Sequence, residues 1–282
     1  MVKIITDTTA CLSKEIAQKY DIPVIPQIIN FENDSYYEGI DMDIDAFMAR
    51  LKRSTELPQT AAPPPHLFVE AFQRLAPLGE PILCIHPSSE VSGTVRSATL
   101  AARDFPNADI RVIDTHLIAG PLGTIVQLAA EAGASGSDAD TIVALANNLS
   151  ERCRLYFLVD TLEYLARGGR IGGATALVGS VLRIKPILSL QDGRVESYEK
   201  ERTHKRALAR LKEIVLSQIP RDGSGHLSVM HADHLEEGQA LAAELGQATN
   251  QPEVPVLNMP PAIVTHGGPG ILAAGFFVSP GH

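Results

Sequence analysis

Between residues 86 and 102 the sequence reads HPSSEVSGTVRSATLAA, which sets Ser88, Ser89, Ser92, Gly93 and Thr94 within seven positions. The apolar run PILCI at 81–85 precedes them and reads as a buried strand, and Val95, Ala98, Leu100, Ala101 and Ala102 follow with helical spacing. Hydroxyls therefore crowd a strand-to-helix junction. Such a junction offers unpartnered backbone N–H groups and the positive end of a helix dipole, which suits an anion. A serine helix cap is the plainer reading of the same residues. Three further stretches have comparable chemistry: DTTACLS at 7–13, LPQTAAPPP at 57–65 with Thr60 on a rigid loop, and THGGPGILAAGF at 265–276 with His266 before a glycine turn. Strand ends are where open α/β sheets hold ligands. Taken singly, Asp7 and Thr8 read as caps, Thr60 as turn chemistry and His266 as a satisfied histidine.

Two catalytic or nucleotide chemistries compete for these residues. Ser92 and His266 could serve as nucleophile and base of an acyl hydrolase or transferase, with the helix start as oxyanion hole. No GxSxG elbow surrounds Ser92, and no orienting acid is identifiable. A phosphate- or nucleotide-binding module is the other alternative. The sequence lacks GxxxxGK[ST] and has no GxGxxG after a strand.

The elements that must position these residues follow from periodicity. Strands are expected at 2–6, 22–31, 81–85, 109–114 and 154–159, separated by helical stretches such as SKEIAQKY, DAFMARLK, HLFVEAFQRLA and TIVQLAAEAG. That rhythm implies a largely parallel sheet. After residue 160 the pattern changes: DTLEYLARGGR and ATALVGSVL (174–182) read as helical, KPILSLQDGRVESYEKER as a hairpin about Asp192-Gly193, THKRALARLKEIVLSQI as an amphipathic helix, and HLSVMHA, EEGQALAAELGQAT and VPVLNM as strand, helix and strand. The fold class read from this is α/β with two α/β domains, residues 1–160 and 161–282, the first sheet mostly parallel and the second mixed.

Composition bounds the function. The chain has 282 residues, 45% of them hydrophobic, and a net charge of −9, which argues against general nucleic-acid binding. Charge is uneven: from Arg167 to Lys212 there are eleven Lys and Arg against four Asp and Glu. Arg202, Lys205 and Arg206 sit at the start of the 203–219 helix, where positive charge opposes the helix dipole, and Arg170 closes the GGR turn; an acidic partner or a phosphate is a better explanation than local stability. Cys11, Cys84 and Cys153 are scattered, with no metal-ligand spacing, so neither a zinc site nor a disulfide framework is expected and a reducing cytoplasm fits. The N-terminus shows no signal-peptide pattern and no run is long enough for a membrane span.

Read jointly, SSEVSGT, VIDT, DTLEYLARGGRIGG, LRIKPILSLQDGRV and HGGPG, in this order and spacing, resemble the DegV family of bacterial fatty-acid-binding proteins, which includes the binding subunits of fatty-acid kinase. The resemblance covers nearly the whole chain, and the stretch from Asp160 to Val195 is its most specific part. It implies one long-chain fatty acid between two α/β domains, its carboxylate held by Thr60, Ser92, Gly93, Thr94, His266 and Gly267. It further implies a carrier without catalytic residues, metal or cofactor of its own, and an ATP-dependent kinase subunit as partner for acyl-phosphate formation in phospholipid synthesis. Two positions depart from the family: Thr60-Ala61-Ala62-Pro63 replaces the usual Thr-Ser-Gln-Pro, and Ala119 stands where a serine is usual. Both make the head-group environment less polar.

Overall fold

The structure is a computed structural model that describes residues 1–178 and 184–281. It divides into two units, Met1–Glu151 and Arg152–His282, whereas the sequence rhythm put the boundary near residue 160. The strands are β1 (Lys3–Asp7), β2 (Val24–Ile25), β3 (Ile28–Phe31), β4 (Asp34–Tyr37), β5 (Gln59–Ala61), β6 (Ile82–His86), β7 (Ile110–Asp114), β8 (Cys153–Leu158), β9 (Lys185–Gln191), β10 (Arg194–Glu201), β11 (Ser228–His231), β12 (Val256–Asn258) and β13 (Leu272–Phe277).

In the N-terminal unit β2-β1-β6-β7 form a parallel sheet, with Asp7 opposite Ile25 and His86 opposite Asp114 at its carboxyl edge. Every residue of β6 is buried, as a central parallel strand covered on both faces requires. The helix Pro65–Leu75 turns Phe68, Ala71, Phe72 and Leu75 inward at helical spacing. These pack with Ala98 and Ala101 of the helix Thr94–Ala102 and with Ile5, Ile82 and Cys84 of the sheet. A 16-residue helix, Ala119–Ala134, buries Leu122, Ile125, Val126 and Ala129. It can approach the Thr8–Ala10 turn because residue 123 is glycine: a Cβ there would lie 2.2 Å from the Ala10 carbonyl oxygen.

The single strand expected over 22–31 is two strands in two sheets. Pro26 has no N–H to continue a ladder, so the chain leaves the parallel sheet after Ile25 and re-enters pairing at Ile28, in an antiparallel sheet of order β4-β3-β5. Thr60, expected on a loop, lies in β5 of that sheet, opposite Ile29.

The C-terminal unit is one six-stranded mixed sheet of order β10-β9-β8-β13-β11-β12. The β9–β10 hairpin turns at Asp192 and Gly193, both with positive φ (46° and 78°), as a two-residue hairpin loop prefers. Helices His204–Gln218 and Leu235–Thr249 bury Leu211, Ile214, Val215, Leu241 and Leu245 against Tyr156, Ile187, Val229, Leu272 and Phe276. β8, which the sequence rhythm grouped with the N-terminal strands, pairs with β9 and β13 in this sheet. The helix expected over 160–170 is confined to Glu163–Arg167, stopped by Gly168 and by Gly169, whose φ is 69°. That expected over 174–182 is a 3₁₀ turn, Gly172–Leu177, and residues 179–183 lie outside the described residues.

Replacing Gly123 by alanine should force the Ala119–Ala134 helix off the Ala10 backbone. Urea unfolding is expected to show a loss of roughly 1–3 kcal/mol; an unchanged midpoint would mean the helix does not hold that turn.

Candidate functional site

The carboxyl edge of the parallel sheet gathers a chain of polar side chains. Asp7 ends β1 with no exposed surface. Its Oδ1 accepts from Thr9 N (3.0 Å), Thr9 Oγ1 (2.6 Å) and Gln27 Nε2 (3.0 Å), and its Oδ2 lies 2.8 Å from His86 Nδ1. His86, the last residue of β6, is fully buried, its ring perpendicular to that of Phe68 with centroids 5.3 Å apart. Gln27 sits in the break between β2 and β3; its backbone N donates to Thr8 Oγ1 (3.1 Å), and its Nε2 donates onward to Thr94 Oγ1 (3.0 Å). Thr94 Oγ1 is 2.8 Å from Ser92 Oγ, which also accepts from Thr94 N at 3.3 Å. Thr94 is fully buried and Ser92 half-buried.

Ser92 is not the helix cap. The N-cap of Thr94–Ala102 is Gly93, and no side chain fills the capping role. The N–H groups of Gly93, Val95 and Arg96 meet no acceptor among the described residues. Hydroxyl and amide donors are thus grouped at the helix start. Thr60 is close by in the chain's own geometry: Ala62, two residues on, has its Cβ 3.2 Å from where a Cβ on Gly93 would stand. The N-terminal unit therefore brings Ser92, Gly93 and Thr94 together, with Ala62 of the segment that follows Thr60 against Gly93. Loop contacts hold this edge in place. Asp114 accepts from the backbone of Ser89 and His116, and Thr115 Oγ1 donates to the His86 carbonyl. Ala119 has φ 62°, a left-handed conformation that strains a residue with a Cβ. Burial, with the Glu38 and Asp7 charges, pushes the Cys11 thiol well up and keeps it in the protonated form.

In the C-terminal unit, His266 lies on the helix Pro261–Gly267, half-buried. The LEYLARGGR turn packs directly on it: a Cβ on Gly168 would fall 2.2 Å from His266 Nδ1, so only glycine fits. Arg170 is half-buried in the same turn, its Nη1 donating to the Gly168 carbonyl at 2.7 Å. Burial, with the Arg170 charge second, lowers the His266 pKa to about 4. The imidazole is therefore neutral near pH 7 and can offer one N–H. Gly267 is buried on Ile271. Arg202, Lys205 and Arg206 are elsewhere in this unit, exposed around the start of the helix His204–Gln218, and in no ion pair among the described residues.

The hydroxyls of Ser92 and Thr94 singled out in the sequence meet at the helix start, whereas the sequence alone does not single out Gln27 and His86 and reads Asp7 only as a cap. The available signal was a polar residue closing or just following a short apolar strand, as in PILCIH and IPVIPQ. Among the described residues no group of three or more His, Cys, Asp or Glu could hold a metal, and no helix is long and apolar enough to cross a membrane.

Comparison with known proteins bears on what such a site takes. A model of the DegV family, described as that of an uncharacterised protein, matches residues 1–279. A DegV domain-containing protein of Halalkalibacterium halodurans is 34% identical, with 98% of each chain covered. Protein DegV of Bacillus subtilis is 32% identical, over 96% of this chain and 97% of that one. Among solved structures, a fatty acid binding DegV family protein from Streptococcus agalactiae matches with a TM-score of 0.90 at 29% identity, and DegV of Bacillus subtilis, a fatty acid binding protein, with 0.87 at 31%; each match covers 99% of both chains.

The depressed His266 pKa has a stability consequence. Between about pH 6.5 and about pH 4 the unfolded chain takes up a proton that the folded His266 refuses, so stability falls as pH is lowered through that window. The loss should reach on the order of 3 kcal/mol by pH 4. His266→Gln should flatten that part of the stability–pH curve; parallel curves for parent and variant would show that His266 titrates normally.

Proposed function

The chain belongs to the DegV family, and on that premise we propose that it binds one long-chain fatty acid, with Thr60, Ser92, Gly93, Thr94, His266 and Gly267 receiving the carboxylate. The observation that carries this reading is the set of donors left open at the start of the helix Thr94–Ala102: a half-buried Ser92 hydroxyl and N–H groups that no described residue accepts. A carboxylate leaving water needs several hydrogen bonds, because a buried unpaired charge is very costly. Neutral His266 adds a donor without adding a charge of its own. The fatty-acid-binding relatives from Streptococcus agalactiae and Bacillus subtilis support the choice of ligand. An acyl tail of roughly sixteen carbons contributes on the order of 10 kcal/mol at ~0.8 kcal/mol per methylene, before ordering costs. Affinity then lies in the tail, and orientation in the head.

The protein itself performs no chemistry in this reading; it is a cytoplasmic carrier whose three cysteines stay reduced. A separate ATP-dependent subunit transfers the terminal phosphoryl group of ATP to a carboxylate oxygen of the bound acid, releasing ADP, and the acyl-phosphate goes to phospholipid synthesis. Arg202, Lys205 and Arg206 form the docking patch for an acidic face of that subunit. They are exposed, unpaired among the described residues, and unfavourable to their own helix dipole. Arg170, half-buried with its Nη1 on the Gly168 carbonyl, is the fourth basic residue assigned to that partner surface in this reading.

Native mass spectrometry of the freshly purified protein should show bound acyl chains. Ser92→Ala should weaken fatty-acid binding by roughly 1.5–3 kcal/mol with the fold intact, the usual worth of a hydrogen bond to a charged group. A clean lipid-free mass, with no thermal shift on adding long-chain acids, would overturn the assignment. Reversing Arg202, Lys205 and Arg206 to Glu should leave acid affinity unchanged and slow phosphoryl transfer by an added kinase subunit about tenfold. Added salt should mimic the reversal, since the contact is exposed; equal rates in parent and variant would remove the patch from the partner interface.

A further inference from the structure

The hydrogen bonds around Thr94 have only one consistent direction. A carboxylate accepts and cannot donate, so the Gln27 side chain must turn its NH₂ group, and not its oxygen, toward Asp7. Of the two hydrogens on that nitrogen, one goes to Asp7 Oδ1 and the other to Thr94 Oγ1. Thr94 Oγ1 is thereby an acceptor from Gln27, and its own proton needs a destination. Thr94 is fully buried, and the remaining partner within reach is Ser92 Oγ at 2.8 Å. Were Ser92 to donate to Thr94, the Thr94 proton would be orphaned in the interior, at a cost of about 1–3 kcal/mol. Thr94 therefore donates to Ser92. Ser92 Oγ then accepts twice, from Thr94 Oγ1 and from Thr94 N, and both its lone pairs are used. The one capacity it has left is its O–H, and Ser92 is half-buried at the open end of the chain.

We infer that Gln27, oriented by Asp7, acts through Thr94 as a positioning residue that fixes Ser92 as an outward hydrogen-bond donor, so that the site selects an ionised acyl carboxylate over neutral or donor head groups on the same tail. The inference rests on the fatty-acid reading above and specifies which head groups that site admits. Four donors onto Asp7 anchor the inner end of the chain. A hydroxyl free to rotate would serve an acceptor or a donor equally; one with both lone pairs occupied serves an acceptor only. The strongest response is to a charged acceptor, whose hydrogen bonds are roughly twice as strong as neutral ones.

The test compares the affinities of lipid-free protein for a saturated long-chain acid, the primary alcohol of equal length and the corresponding alkylamine. In the parent the acid should bind tightest and the amine weakest. Thr94→Val keeps the shape at 94 and deletes the relay, and should reduce the acid-to-alcohol preference about tenfold. Gln27→Glu keeps the shape at 27 but, donating its carboxyl proton to Asp7, turns an acceptor toward Thr94, draws the Thr94 proton away from Ser92 and should reduce the preference similarly. Thr94→Ser should restore it. Thermal unfolding of each variant reports whether it is folded, and Gln27→Glu carries the test if Thr94→Val does not fold. An equal loss of acid and alcohol affinity in both variants, or an unchanged preference, would show that these side chains only support the fold and would overturn the inference. Failure of the parent to bind acid, alcohol or amine would instead remove the fatty-acid reading, and the inference with it.

Discussion

A carboxylate withdrawn from water must have its acceptor positions filled, and Asp7 meets that demand with four donors drawn from three parts of the chain. Thr9 belongs to the turn that follows β1, Gln27 to the break between β2 and β3, and His86 to the end of β6. Satisfying this one side chain ties the ends of two adjacent strands to the segment that leaves the sheet. The polar chain continues through Gln27 and Thr94 to the start of the next helix. Removing one donor would leave a buried acceptor short, so the arrangement is held as a unit. The position of Ser92 is a consequence of where Asp7 finds its partners.

The C-terminal unit reaches its chemistry differently. His266 is governed by burial against the Gly168 turn, with Arg170 adding to the penalty on its charged form. One unit sets donor direction through a fixed sequence of hydrogen bonds; the other sets charge state through desolvation. Both leave neutral donors near pH 7. Neutral donors suit an anionic acceptor, because they carry no charge of their own that must be desolvated with it.

Much of the architecture is legible in the sequence because its periodicity is strong. The runs that became β1, β6 and β7 are short and apolar, Asp192-Gly193 marks a hairpin, and the long helices carry apolar residues at helical spacing. Other parts are hidden for identifiable reasons. β13 reads LAAGFF directly after GGPG, and alanine and glycine have little strand preference, so a fully buried central strand is masked by turn punctuation. β3 and β5 are separated by 27 residues, and their pairing is a tertiary fact that no local pattern encodes. The hydroxyls of Ser92 and Thr94 stand out by type and position at a strand-to-helix junction. Gln27 and His86 do not, because a lone amide or imidazole beside a strand carries no motif until the strands are aligned. The glycines of LEYLARGGR are likewise visible as a pattern while their reasons, contact of Gly168 with His266 and the positive φ of Gly169, are not.

The alanines at 61 and 62 alter what the N-terminal donors must do. The Ala62 methyl approaches Gly93 closely enough that neither position has room for growth toward the other, so the strand end and the helix start meet through small, apolar surfaces. A loop carrying serine and glutamine could share the solvation of a ligand carboxylate among several side chains. With alanine at both positions no hydroxyl or amide side chain at 61 or 62 adds to the donors that Ser92 and the helix start provide, and the backbone N–H groups there are fixed in direction. Fewer donors make the orientation of each more consequential. A Ser92 hydroxyl held in one direction by Thr94 and Gln27 then matters more here than it would in a more polar loop, and the less polar surroundings strengthen each bond that is made.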